Sequence, residues 1–126
     1  MYKFLNHKDL PIHHKKEFMK ISNVSFGLGG YQNSCFGLTL HFEQKSGLGA
    51  GNFINGGWDF QSIECSPNAK WNEKDREKQM LKLCKIVSLI LKDANVSSVD
   101  KLKGMPVEVI ISDNTVQSWR ILEEVI

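Results

Sequence analysis

Five glycines fall within eleven positions, in Gly47-Leu48-Gly49-Ala50-Gly51 and again at Gly56-Gly57. Glycine loses more freedom on ordering than any other residue, so this density marks backbone that something approaches closely. Successive N–H groups in such a run can form a concave nest for a phosphate or another anion, with Gly49 and Gly51 as the candidate donors. The run lacks the Lys-Ser/Thr pair of a P-loop, and a strand pattern follows it where a dinucleotide fold needs a helix. A hairpin loop, or a glycine-rich strand bent by close packing, accounts for the same residues.

Anion recognition also needs cations and stacking surfaces. Arg76 and Arg120 are the only arginines, and arginine forks bind phosphate bidentately. Ion pairs with Glu73, Glu77 or Glu123 are the competing role. Trp58, Trp71 and Trp119 lie near predicted loops or strand ends, where an indole can stack on a base. Trp119 also suits packing on a long helix, and Trp71 suits a hydrophobic staple at a helix start. His41 and Glu43 share one face of a strand, but no third partner for a metal or for acid–base work can be located. No Ser-His-Asp order, HExxH or paired-carboxylate motif is present. The case for an enzyme, including a metal-dependent hydrolase built on His41, is therefore thin.

The chain has 126 residues, 16 basic and 14 acidic. Residues 1–17 carry Lys3, Lys8, Lys15 and Lys16 against Asp9 and Glu17, and the remainder is balanced. A duplex-binding domain shows a basic stripe, so generic nucleic-acid binding is disfavoured. Cys35, Cys65 and Cys84 are odd in number and lack CxxC spacing, which predicts reduced thiols in a cytosol and no structural zinc. Cys84 falls in the apolar stripe of a helix and is expected to be buried there. No signal peptide or transmembrane run is apparent.

The elements that must hold these groups follow from periodicity. Residues 1–17, with His13-His14, read as a basic arm or short edge element, and residues 18–126 as one domain. A first strand is expected from Phe18 to Phe26, then a turn at Gly27 to Gly30. Phe36, Leu38, Leu40 and Phe42 alternate with Gly37, Thr39, His41 and Glu43, which predicts a half-buried second strand. Phe53-Ile54 and Trp58-Asp59-Phe60 suggest a third, broken by Gly56-Gly57, and the three would form an antiparallel meander. Asn72 is a predicted N-cap, followed by apolar residues from Met80 to Ala94 at helical spacing, with Asn95 as a left-handed stop. Ser98 to Lys103 adds a helical turn. Val107 to Ile111 and Val116 to Leu122 then form a hairpin across Ser112 to Thr115. The predicted fold is α+β, an antiparallel sheet of meander plus C-terminal hairpin packed against one long amphipathic helix.

Taken together, the Gly47-Leu48-Gly49-Ala50-Gly51 segment with Phe53 after it, the helix end from Ile90 to Val96, and the pattern Val99, Leu102, Gly104, Val107, Val109 resemble a family of small phage and prophage proteins. That group is similar to the Thoeris anti-defence sponges, which sequester the cyclic ADP-ribose-type signal made by bacterial TIR-domain proteins. The resemblance runs over residues 20–125. It implies a non-enzymatic homo-oligomer in the cytoplasm of the infected bacterial host, binding a cyclic nucleotide at subunit interfaces by aromatic stacking and arginine–phosphate contacts. Arginine is scarce here, and Glu108-Val109 stands where a basic residue would be expected, which leaves Arg120 as the nearest substitute.

The expected ligand-binding set is Gly49, Gly51, Phe53, Trp58, Trp71, Arg76 and Arg120, with no catalytic residue, cofactor or metal. The alternative is an anti-CRISPR-type inhibitor that binds a host defence effector protein. Balanced charge argues against DNA mimicry in that role and permits an allosteric grip.

Overall fold

The computed structural model describes Tyr2 and residues 13–126. Met1 and residues 3–12, most of the predicted arm, lie outside the described residues. Strands β1 (Lys15–Gly29), β2 (Cys35–Glu43) and β3 (Gly49–Trp58) precede helix α1 (Glu73–Ala94), and β4 (Pro106–Ser112) and β5 (Thr115–Ile121) follow it. All pairings are antiparallel, in the order β3-β2-β1-β4-β5. The meander, the C-terminal hairpin and the single long helix are those expected from the sequence.

β2 behaves as its alternation predicts, with Leu38, Leu40 and Phe42 fully buried and His41 and Glu43 exposed. β1 is longer than its predicted core, starting at Lys15 and running through Gly27 to Gly29. The chain then turns at Gly30, whose φ is 70°. Its first part, Lys15 to Lys20, pairs with β4, and its later part pairs with β2. The β4–β5 hairpin closes through Asp113 and Asn114, both at positive φ (53° and 60°), the geometry whose twist suits a two-residue hairpin.

β3 corrects two expectations. It runs as one strand through Gly56-Gly57, where the expected break is instead a bulge in the pairing with β2, with Gly57 at φ 108°, and it includes Gly49 and Gly51, which oppose Glu43 and His41 of β2. Only Gly47 of the 47–51 run has positive φ, so the run is a turn leading into a strand rather than a nest. The glycines are there for approach. A Cβ on Gly56 would lie 2.5 Å from Leu83 Cδ2, and one on Gly37 would lie 2.3 Å from the Ile54 carbonyl oxygen and 2.7 Å from the Phe53 ring. Phe53 therefore lies across glycines of the neighbouring strands, and α1 sits close against β3.

α1 is capped as predicted. The Asn72 side chain accepts from Asp75 N–H, the Asp75 carboxylate accepts from Asn72 N–H, and Asn95 closes the helix at φ 56°. Its buried line is narrow, consisting of Arg76, Leu83, Ile90 and Ala94. Cys84, expected on this line, is exposed, because it stands about 100° around the helix from Leu83. Leu102, in the following helical turn, is fully buried as expected.

The sheet curls until its edges meet. Trp119 of β5 is fully buried and donates its indole N–H to Asn52 Oδ1 of β3 at 3.0 Å. Phe42 and Tyr2 pack on the same indole, with ring centroids 5.1 and 4.7 Å away. Tyr2 also accepts a backbone hydrogen bond from Trp119 N–H and donates its hydroxyl to Asp93 of α1 at 2.5 Å. Tyr2 and Lys15 to Glu17, both within the stretch read as an arm, thus belong to the packed structure.

Gly37→Ala is expected to lower stability by about 1–3 kcal/mol or more through overpacking. Gly51→Ala, whose added Cβ meets nothing nearer than 3.6 Å, should stay within about 0.5 kcal/mol of the parent. Urea midpoints of the two variants check this contrast.

Burial, and then the Asp93 carboxylate, push the Tyr2 phenol far above the ordinary tyrosine range. The unfolded chain ionises at about 10, so this contribution to stability is fully present below that pH and is lost as the pH rises above it. Denaturation midpoints measured between about pH 9 and 11.5 should fall more steeply for the parent than for Tyr2→Phe.

Candidate functional site

Of the seven residues expected to bind ligand, Trp71, Arg76 and Arg120 are engaged by other parts of the molecule. Arg76 is 4% exposed. Its Nη1 donates to the carbonyl oxygens of Asp59 and Ile63, each at 2.9 Å, and its Nη2 pairs with Glu73. The guanidinium lies over the rings of Phe60 and Trp71, 4.9 and 4.7 Å from their centroids. An arginine can do this because its flat, weakly hydrated cation stacks on aromatic faces while its fork satisfies carbonyls. The result fastens the irregular 59–71 segment to the first turns of α1.

Asp59 supports the same clamp. Its carboxylate accepts from the Ser62 hydroxyl at 2.7 Å and the Ser62 N–H at 3.0 Å, and the hydroxyl contact leads in holding its pKa below the usual range. Trp71 and Arg76 are thus brought together, but facing each other rather than a ligand. Arg120 lies in β5, on the opposite edge strand of the sheet from β3. It pairs with Glu124 at 3.0 Å and with the buried Glu108 at 3.3 Å, and the Glu124 contact leads in raising its pKa. The Glu108 position that departs from the resemblance is therefore the partner of the arginine proposed to replace it. Trp58, at the end of β3, is 40% exposed.

Phe53 borders a groove of about 450 Å³ between β3 and α1. Phe53 and Asn55 of β3 form one wall, and Lys78, Gln79 and Lys82 of α1 form the other. Lys78 and Lys82 are one helical turn apart, exposed, and without an ion pair among the described residues. Asp75 also borders the groove, but its carboxylate is engaged in the helix cap. The groove thus offers two available ammonium groups and the Gln79 amide, whereas the Asn55 amide is engaged by Gly57 N–H and Cys35 Sγ and the Phe53 ring lies across Gly29 and Gly37. These groups suit a small anion with a polar body, with phosphate on the lysines and one hydrogen-bonding edge on the Gln79 amide. Sequence reasoning fixed on arginines and tryptophans and passed over these lysines and this amide. The available signal was the four-residue spacing of Lys78 and Lys82 beside the apolar stripe.

Among the described residues, no three His, Cys, Asp or Glu side chains are grouped to hold a metal ion, and no helix is long and apolar enough to cross a membrane. His41 is exposed on β2, with its carbonyl accepting from the Ser22 hydroxyl. No protein-family model, curated protein or solved structure matches the chain.

Arg76→Lys keeps the charge but not the fork, and is expected to cost about 2 kcal/mol or more. Limited proteolysis should then cut within residues 60–70 under conditions that leave the parent intact.

Proposed function

We propose that this protein binds and sequesters a small anionic nucleotide without covalent chemistry, using the groove between β3 and α1. The observation that carries this is the joining of Lys78 and Lys82, unpaired among the described residues, with the Gln79 amide in one cleft. The resemblance of the glycine-spaced segment and its flanking pattern to the Thoeris anti-defence sponges points to a signal of the cyclic ADP-ribose type. It also points to a phage-encoded role in countering host immunity. Lys78 and Lys82 would take the place of the arginines expected from that resemblance, as point charges rather than forks. The same resemblance points to a homo-oligomer.

A second reading, an anti-CRISPR-type inhibitor that grips a host defence effector, is favoured by a different feature. Phe26, Leu28 and Tyr31 are 44, 55 and 78% exposed at one end of the sheet, an apolar tip of the kind that protein partners cover.

A thermal-shift panel of cyclic ADP-ribose isomers, cyclic di- and trinucleotides and linear nucleotides tests the first reading. A ligand at about a hundred times its Kd should add about 2.7 kcal/mol, a rise of several degrees in Tm. The paired change Lys78→Glu and Lys82→Glu should abolish the rise while leaving the unliganded Tm in place. A flat panel overturns the nucleotide reading. Stoichiometric capture of one host effector would then favour the second.

A further inference from the structure

β1 changes partner at Lys20, which pairs with Pro106 of β4 on one side and with Glu43 of β2 on the other. Immediately beyond, the strand shifts register, and the backbone of Ile21 is held by the segment entering β4. Gly104 N–H donates to Ile21 O at 2.7 Å, and Ile21 N–H donates to Met105 O at 3.0 Å. The end of the β2–β3 hairpin and the 103–106 segment therefore stand on either side of β1, with a cleft of about 820 Å³ between them.

Two features of this cleft call for an occupant. Phe18 lies in the central strand of the sheet, yet it is 64% exposed and borders the cleft with Pro106 and Leu122. An aromatic side chain buries 150–250 Å² when covered, at about 25 cal/mol per Å², so covering Phe18 is a substantial source of binding free energy. The wall beside it is already fixed, because Gln44 Nε2 donates to Phe18 O at 3.0 Å and to Glu17 Oε2 at 2.8 Å. The second feature is charge. Lys20, Lys45 and Lys103, from three separate segments, border the same cleft, are exposed, and make no ion pair among the described residues. Glu43 is the one acidic residue on its lining.

We propose that this cleft is a second binding site, separate from the β3–α1 groove, for a small amphipathic anion. The ligand has an aromatic or medium-chain acyl body that covers Phe18 and one carboxylate or sulfonate head that meets the lysines. Its lining differs from that of the groove in kind, because its floor is apolar and the amide on its wall, Gln44, is already bonded to Glu17 and Phe18 O. The site thus selects for an apolar body before it selects for charge.

Fluorescence titration of the full chain with 1-anilinonaphthalene-8-sulfonate tests the site, with uncharged N-phenyl-1-naphthylamine as the comparison and decanoate or decanol as competitor. The expected result is saturable binding of one sulfonate probe per chain, displaced by decanoate and not by decanol. Lys45→Glu with Lys103→Glu should weaken the sulfonate probe by at least about fivefold, the scale of lost surface ion pairs, and leave the uncharged probe unaffected. Phe18→Ser should weaken both probes, and the lysine pair carries the test if Phe18→Ser lowers Tm. Lys78→Glu with Lys82→Glu should change neither. The site is overturned if decanol competes as well as decanoate, if the Lys45 and Lys103 changes leave sulfonate binding intact, or if binding is lost with Lys78 and Lys82 instead.

Discussion

A buried indole N–H must find an acceptor, and here that need joins the two edges of the sheet. Trp119 in β5 reaches Asn52 in β3, and neither side chain could be buried at so little cost without the other. Once these edges are held together, the five strands cannot lie open. The curl places Leu38, Leu40 and Phe42 of β2 and Val107 and Val109 of β4 around one core. It also leaves a seam beside β3 that α1 covers, with Leu83 seated where Gly56 has no side chain. Tyr2 extends the arrangement by linking the indole to Asp93 at the far end of the helix.

The same geometry decides which cations are available. Arg76 falls on the buried line of α1 and lies over Phe60 and Trp71, and Arg120 is balanced by Glu108 and Glu124. Arg76 is thus committed to the interior, and Arg120 to carboxylates at the sheet surface. Among the described residues, the cations left without an ion pair at the β3–α1 groove and at the cleft beside Phe18 are lysines, which would carry the charge of the ligands proposed for them. Anion recognition built this way relies on point charges and gains its selectivity from neighbouring amides or apolar surface.

Sequence patterns revealed most of the architecture, because local chemistry decides those elements. The β2 alternation, the Asn72 cap with Asp75, the left-handed Asn95 and the Asp113-Asn114 turn each follow from interactions within a few residues. The glycine run did not yield its role in this way. What a missing Cβ permits depends on what stands opposite, and the neighbours of Gly37 and Gly56 are Ile54, Phe53 and Leu83. Cys84 and Arg76 were misjudged for a related reason. Helical periodicity identifies an apolar stripe, but the width of the stripe that is buried depends on how the partner sheet curls. Of the expected site residues, Phe53 alone borders the groove, and its partners Lys78, Gln79 and Lys82 had the look of a solvated helix face.

The fifteen residues of β1 impose an order on the life of the chain. Its later half meets β2 across a single turn, so that hairpin is complete once residue 43 has been made. Its earlier half waits for β4, with Lys15 opposite Ile111. A ribosome must therefore pass through α1 and into β4 before Met19 gains its neighbour Val107. During that interval the nascent meander carries an unclaimed strand end, and the long-range pairing that claims it is the slow kind of contact to close. The last strands to emerge thus finish a sheet that the first strand began.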